Sequence, residues 1–355
     1  MSTNKKTVSI IGTVGLPACY GGFESLVQNL VDYQSNNISY VIYCSSKHYK
    51  KKQSVYKNAK LKYINLNANG IASIFYDGLS LFSCSIKRND VTLILGVSGC
   101  IFLPFFKLIS KSKIITNIDG LEWKRDKWGK LTRRFLKFSE KLAVKYSDVI
   151  IADNQAIADY INNEYTIISK VIAYGGDHAI TKFENLSDNK DNFFLSICRI
   201  EPENNIHIIL ESFSKLQSQL KFVGNWSSSE YGIKLKEKFK HYSNLELLDP
   251  IYDINVLFTL RNKCKGYIHG HSAGGTNPSL VEAMHFGMPI FAFDCTFNRY
   301  STENKAIYFH NTESLIDKIL KFERENGTTE GKLLRKIAIE RYSWKNIVNM
   351  YENLY

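Results

Sequence analysis

The sequence contains no Cys-x-x-Cys pair, no Asp-x-Asp, no Walker loop, and no apolar run long enough to cross a bilayer. Each absence removes a class of protein. Seven cysteines (Cys19, Cys44, Cys84, Cys100, Cys198, Cys264, Cys295) are odd in number and scattered, so they read as reduced buried thiols, not as a disulfide frame or a zinc site. The longest nearly apolar stretch, residues 91–106, is shorter than a membrane-spanning helix and contains Pro104. The opening MSTNKKTVSII passes from a short polar tail directly into a strand pattern, with no signal peptide. A cytoplasmic chain without a transmembrane anchor is the expectation. Internal repeats and extended low-complexity segments are also absent.

What is present begins with charge. The chain of 355 residues carries a net +12, and its length favours two domains. Between Lys107 and Lys145 stand twelve Lys/Arg against four acids, a net of +8 in one segment. Such a face suits anionic lipid head groups, phosphate-bearing substrates or nucleic acid.

Short apolar runs alternate with helical patterns: VSIIG, YVIYC, LKYINL, VTLILG, KIITNI and DVIIAD, then FFLSICR, LKFVG, LELLD, KGYIHG and PIFAF. That alternation predicts parallel sheets covered by helices, in two series joined by a linker around residues 173–192. The predicted division is 1–175 and 176–338, with a C-terminal helix in 339–355. In the first series, SIIGTVGLPACYGGFESLVQNLV (9–31) reads strand, glycine loop, helix. Gly12-Thr13-Val14 breaks a dinucleotide fingerprint. Gly21 and Gly22 precede the helix, where free N–H groups favour an anion; the competing reading is a loop whose glycines only relieve crowding.

SICRIEPENNIHIILESF (196–213) and YIHGHSAGGTNPSLVEAMHFGMPIFAFD (267–294) resemble the diphosphate- and nucleotide-binding motifs of glycosyltransferase family 4. RYSWKNIVNMYENLY (341–355) resembles that family's last helix, which crosses back to the N-terminal domain. The opening loop and NIDGLEWKRDKWGKLTRRFLK (117–137) resemble a subgroup, the bacterial polysaccharide rhamnosyltransferases. The resemblance implies an α/β GT-B fold, two doubly wound Rossmann-like domains facing a central cleft. It also implies retaining transfer of L-rhamnose from dTDP-L-rhamnose to a lipid-linked sugar, N-acetylglucosamine, in O-antigen or capsule biosynthesis. The alternatives are a GT-B enzyme using another nucleotide sugar, a nucleotide-sugar epimerase, a catalytically silent donor-binding member, and a nucleic-acid-binding protein, the last without any recognised nucleic-acid motif.

The residues implied follow the motifs. Arg199 offers a planar fork to the diphosphate leaving group, beside Glu201 and Asn204. At Asn204 the family usually has lysine, so half of the usual cationic clamp is missing. Gly274, Gly275, Thr276, Asn277, Ser279 and Leu280 form the donor loop, with Gly274 where the family often has a sugar-binding glutamate. Glu282, placed at the start of a helix, matches the glutamate that accepts from the nucleotide ribose. Gly21 and Gly22 face the donor diphosphate across the cleft. Asp119 positions or deprotonates the acceptor hydroxyl, with Glu122 held more loosely, and Glu24, Trp123, Lys124 and Arg125 lie on the acceptor side. The missing Asp-x-Asp implies catalysis without a metal or any cofactor beyond the donor. His269 and His271, in H-G-H, read as structural or substrate-contacting rather than metal-binding.

In the basic segment, Leu131, Phe135, Phe138, Leu142 and Tyr146 recur at helical spacing and read as core. Phe102, Phe105, Phe106, Trp123 and Trp128 supply candidates for an aromatic rim at the inner membrane surface. A peripheral enzyme on the inner leaflet is the resulting expectation.

Overall fold

A computed structural model describes residues 5–18, 21–87, 89–118, 120–124, 128–180, 186, 189–325 and 329–355. The chain divides into two compact units, residues 1–174 with 344–355, and residues 175–343.

Unit 1 contains β1 (Lys6–Ile11), β2 (Ile38–Ser45), β3 (Val55–Tyr56), β4 (Ala59–Ile64), β5 (Val91–Leu95), β6 (Lys113–Ile118), β7 (Val149–Ala152) and β8 (Lys170–Val171). They form one sheet in the order β3-β4-β2-β1-β5-β6-β7-β8. All neighbours run parallel except β3 and β4. Its helices are α1 (Gly22–Asp32), α2 (Ala72–Ile86), α3 (Leu103–Ile109), α4 (Lys130–Tyr146) and α5 (Gln155–Tyr165). The strands are apolar on both faces because helices cover both. Chain order reverses between β1 and β5, and the two strands approach closely there. At Gly12, where φ is +90°, a Cβ would lie 2.0 Å from the Leu95 carbonyl oxygen. No side chain fits that position, so this glycine of the opening loop serves strand packing.

Unit 2 contains β9 (Phe193–Ile197), β10 (Gln219–Val223), β11 (Leu245–Leu248), β12 (Gly266–His269), β13 (Ile290–Phe293) and β14 (Ile307–Phe309), all parallel, in the order β11-β10-β9-β12-β13-β14. Its helices are α6 (Ile206–Ser214), α7 (Glu230–Phe239), α8 (Ile254–Lys263), α9 (Pro278–Met284), α10 (Thr296–Ser301), α11 (Thr312–Arg324) and α12 (Glu330–Arg341). Phe194, Phe213, Phe291 and Phe322 interlock edge to face, with ring centroids 5.5–5.9 Å apart.

The last helix, α13 (Trp344–Glu352), belongs to the core of unit 1. Trp344, Ile347, Val348 and Tyr351 are buried with Leu26, Leu30 and Tyr40. Asn117 donates to the Tyr351 hydroxyl at 2.8 Å, and Lys6 and Lys113 reach the carbonyls of Tyr355 and Leu354 at 2.8 and 2.6 Å.

Every apolar run read from the sequence forms a strand, whereas the two- and three-residue β3, β8 and β14 carry no pattern that would announce them. The basic helix corrects its reading. Leu131 and Phe138 of the stripe read as core are 81% and 53% exposed, and α4 buries Leu136, Ser139, Glu140, Ala143 and Val144 instead. The buried side is selected by Glu140, whose carboxylate meets several donors from neighbouring elements.

Candidate active site

In a doubly wound sheet, ligands bind beyond the strand carboxyl ends where chain order reverses. In unit 2 that point lies between β9 and β12. The loops leaving these strands are laced together. Asn205 donates to the Gly270 carbonyl at 2.9 Å, Ser272 donates through its N–H and hydroxyl to the Glu203 carbonyl at 2.9 Å, and His271 Nδ1 lies 2.7 Å from Asn204 Oδ1. Asn204 also donates to the Arg199 carbonyl at 2.7 Å. Asn204 is therefore a buried brace between the loops, with both ends of its amide engaged. Its contribution is to fix Arg199 and His271.

Arg199 follows β9, with its side chain 48% exposed and its guanidinium 3.6 Å from Glu201. Within the loops 198–205 and 270–277 it is the one Lys or Arg. On β12, burial and then His271 push His269 down to about 3, so the ring is neutral at physiological pH. The loop 274–277 ends at Asn277, which caps α9 by accepting from the Ser279 N–H at 3.0 Å and hydroxyl at 2.8 Å. Thr276 and Leu280 are buried. Gly274, Gly275, Asn277 and Ser279 are partly exposed, and Arg199 is exposed.

Gly274 has φ +99°, and a Cβ there would lie 3.5 Å from His271 Nε2. A glutamate at this position is strained whatever sugar it meets. Gly274→Glu is expected to lower stability by about 1–3 kcal/mol and to weaken donor binding rather than restore a sugar contact. Thermal unfolding and the donor KM check both parts.

Glu282 lies in the second turn of α9, not at its start, because the helix begins at Pro278. Its carboxylate accepts from Arg261 of α8, and His178 Nε2 lies 3.2 Å from its other oxygen. Burial alone would raise this carboxyl, but Arg261 and His178 outweigh it and hold it below the usual range. The sequence motif marked Glu282 yet gave no sign of Arg261 or His178, which lie 21 and 104 residues away.

In unit 1, Gly21 is the N-cap of α1 and Gly22 its first residue. Glu24 is buried and turned into its own loop, accepting from the Val14 N–H at 2.7 Å and the Thr13 hydroxyl at 3.0 Å. These bonds brace the opening loop. Asp119 and Arg125 lie outside the described residues. Glu122 accepts from Trp128 Nε1 at 3.0 Å.

Trp123 donates to Glu140 at 3.0 Å. The same carboxylate accepts from the Tyr160 and Tyr165 hydroxyls at 2.6 Å each and from Lys137 at 3.2 Å. Lys137 sits over the rings of Trp123, Tyr160 and Tyr165 at 4.7–5.0 Å. Above this network opens a cavity of about 800 Å³ lined by Lys124, Arg133, Arg134, Lys137 and Lys141 beside Trp123, Phe138, Tyr165 and Glu164. Glu140→Ala leaves three neutral donors without their acceptor, while Lys137 keeps Glu164 at 3.0 Å, and is expected to destabilise unit 1 by about 2–3 kcal/mol in urea unfolding.

Among the described residues, no three His, Cys, Asp or Glu side chains gather as a metal-ligand set. No described helix is long and apolar enough to cross a membrane.

Residues 5–177 match a domain of unknown function, DUF1972, and residues 177–341 match the family of glycosyl transferases group 1. A search of curated proteins gives no match. Among solved structures, sucrose-phosphate synthase from Thermosynechococcus elongatus superposes with a TM-score of 0.80 at 12% identity, over 99% of this chain and 98% of its own. A glycosyltransferase from Rickettsia africae gives 0.73 at 15% identity, over 99% and 98%. Anabaena HepE in complex with UDP-glucose gives 0.72 at 14% identity, over 98% and 99%. These likenesses establish the fold of the chain, which is the GT-B arrangement of two Rossmann-like sheets. Residues 177–341 carry a domain of the glycosyl transferases group 1 family.

Proposed function

We propose that the protein transfers L-rhamnose, with retention, from dTDP-L-rhamnose to N-acetylglucosamine carried on a lipid diphosphate, in the building of a bacterial surface polysaccharide such as O-antigen or capsule. The group 1 domain carries the reaction class. Nucleotide-sugar use is supported by HepE, a structure of the same fold holding UDP-glucose. The rhamnosyl donor rests on the resemblance of residues 117–137 and of the opening loop to polysaccharide rhamnosyltransferases. Gly274 is compatible with it, since a 6-deoxy sugar presents one hydroxyl fewer.

As the glycosidic bond breaks, negative charge grows on the leaving diphosphate. Arg199 meets that charge with a planar donor fork, and the backbone N–H groups of Gly274 and Gly275 add donors that need no reorganisation. Glu282, fixed by Arg261 and His178, receives the ribose hydroxyls. Asp119 orients the acceptor hydroxyl and takes its proton. No metal takes part in this scheme. The acceptor's phosphates fit the basic and aromatic cavity of unit 1, and the enzyme works at the inner face of the cytoplasmic membrane.

A second reading keeps the mechanism with a hexose donor, favoured by the UDP-glucose in HepE. Calorimetric titration with dTDP, UDP and GDP separates the two. Preference for dTDP supports the rhamnosyl reading, and preference for UDP replaces it with the hexose.

A further inference from the structure

Helix α2 is apolar on its outer face as well as inside. Its buried residues are Tyr76, Asp77, Ser80, Leu81 and Cys84. The polar ones find partners inside. The Tyr76 hydroxyl donates to the carbonyls of Thr13 and Tyr43 at 2.9 and 2.7 Å, Ser80 donates to the Tyr76 carbonyl at 2.7 Å, and Asp77 accepts from Ser98 at 2.5 Å. Outside, Ile71, Phe75, Leu79, Phe82 and Ile86 follow one helical face, each 50–71% exposed. A helix facing water carries charge there; the single charged residue of α2, Asp77, is buried. Helix α3 packs beside α2 and adds Phe105, Leu108 and Ile109, at 61–83% exposure.

Charge beside this ridge is mainly positive. Across α2, α3 and α4 the two carboxylates, Asp77 and Glu140, are both buried, whereas Lys130, Arg134, Lys141 and Lys145 are exposed; Lys107 is paired with Asp148 at 2.5 Å, and Glu164 pairs with Lys137 at 3.0 Å. An apolar ridge flanked by exposed cations matches an anionic bilayer surface, where side chains enter the acyl boundary and cations meet phosphates. A second copy of the chain fits poorly, because two-fold pairing of this face sets cations against cations. Nucleic acid would satisfy the cations and leave the ridge in water.

We infer that the α2–α3 ridge inserts into an anionic phospholipid leaflet while the cations of α4 hold the head groups. This deepens the peripheral-membrane reading above, replacing attraction by charge alone with insertion. The aromatics read from the sequence as a rim are only partly the right ones: Phe106 is buried, Phe105 is exposed, and the larger part of the surface belongs to α2.

The test is flotation of the full chain with vesicles of phosphatidylcholine alone or mixed with phosphatidylglycerol, at low and high salt. Beside the wild type run Phe75→Gln/Leu79→Gln/Phe82→Gln and, as a charge control, Arg134→Gln/Lys141→Gln/Lys145→Gln. The wild type is expected to bind the anionic vesicles and to stay partly bound at high salt, since insertion is not screened. The apolar triple variant should partition about tenfold or more weaker, with the remainder released by salt. Its circular dichroism and thermal midpoint should match the wild type, because the replaced side chains are exposed. A blue shift of Phe82→Trp fluorescence on adding anionic vesicles would report insertion directly. If the apolar variant partitions like the wild type, insertion is overturned while peripheral binding stands. Failure of the wild type to bind anionic vesicles overturns both. A wild-type dimer that the apolar variant converts to monomer, without vesicle binding, assigns the ridge to a second copy and overturns the lipid assignment.

Discussion

Arg199→Ala is expected to lower kcat about 10²- to 10³-fold while changing stability by no more than about 0.5 kcal/mol. The dissociation rests on where the side chain sits. Its guanidinium is half exposed and meets Glu201 only at 3.6 Å, so little folding energy depends on it. In the proposed reaction the same group faces charge that grows as the donor breaks, and removing a preorganised donor from such a site costs far more in the transition state than in the ground state. Arg199→Lys should recover only part of the rate, because a point charge cannot reproduce the bidentate fork. The neutral residue at position 204 sharpens the expectation. With Asn204 committed to the Arg199 carbonyl and His271, it supplies no second cation in reserve. Single-turnover kinetics at saturating donor, with equilibrium unfolding of the same sample, checks both halves.

Arg261→Ala is expected to destabilise unit 2 by about 3–5 kcal/mol, the usual cost of leaving one partner of a buried ion pair behind. Arg261 and Glu282 are 5% and 15% exposed, so solvent does little to replace the lost partner. Urea unfolding measures the loss. Acid titration gives a second signature. Glu282 has a folded-state pKa below its unfolded value of about 4.5, so the unfolded chain binds more protons as pH falls through that range. The stability this carboxylate contributes is present above about pH 4.5 and is lost as pH falls toward the depressed folded value. In Arg261→Ala that acid-side loss should flatten, because burial then acts on a carboxylate held by His178 alone.

These two arginines mark what the sequence makes legible. Arg199 stands directly after a β-branched and aromatic run inside a recognisable motif, and the strand it follows forms where the pattern predicts. Arg261 lies within FTLRNK, where nothing local distinguishes it from a solvated helical arginine. Only the fold, by packing α8 near α9 and the 178 turn, gives it a role. The same limit governs the basic segment. Periodicity reports that α4 has an apolar stripe, but not which side faces in. The inward side was decided by Glu140, Tyr160, Tyr165 and Trp123, which come together from three separate elements. The outer face of α2 is illegible for a related reason: Asp77 is the helix's one charge and apolar residues stand on every side, so the pattern does not say which side is left outside. Glycine in the opening loop was visible, whereas the need of Gly12 to clear the Leu95 carbonyl belongs to the pairing of β1 with β5.

The most direct measurement is turnover with N-acetylglucosamine on a lipid diphosphate, offering dTDP-L-rhamnose beside UDP-glucose, UDP-galactose and GDP-sugars, with EDTA present. The account predicts rhamnose transfer that persists in EDTA and falls with Arg199→Ala. Turnover with another donor alone, or turnover abolished by EDTA and restored by a divalent cation, would contradict it.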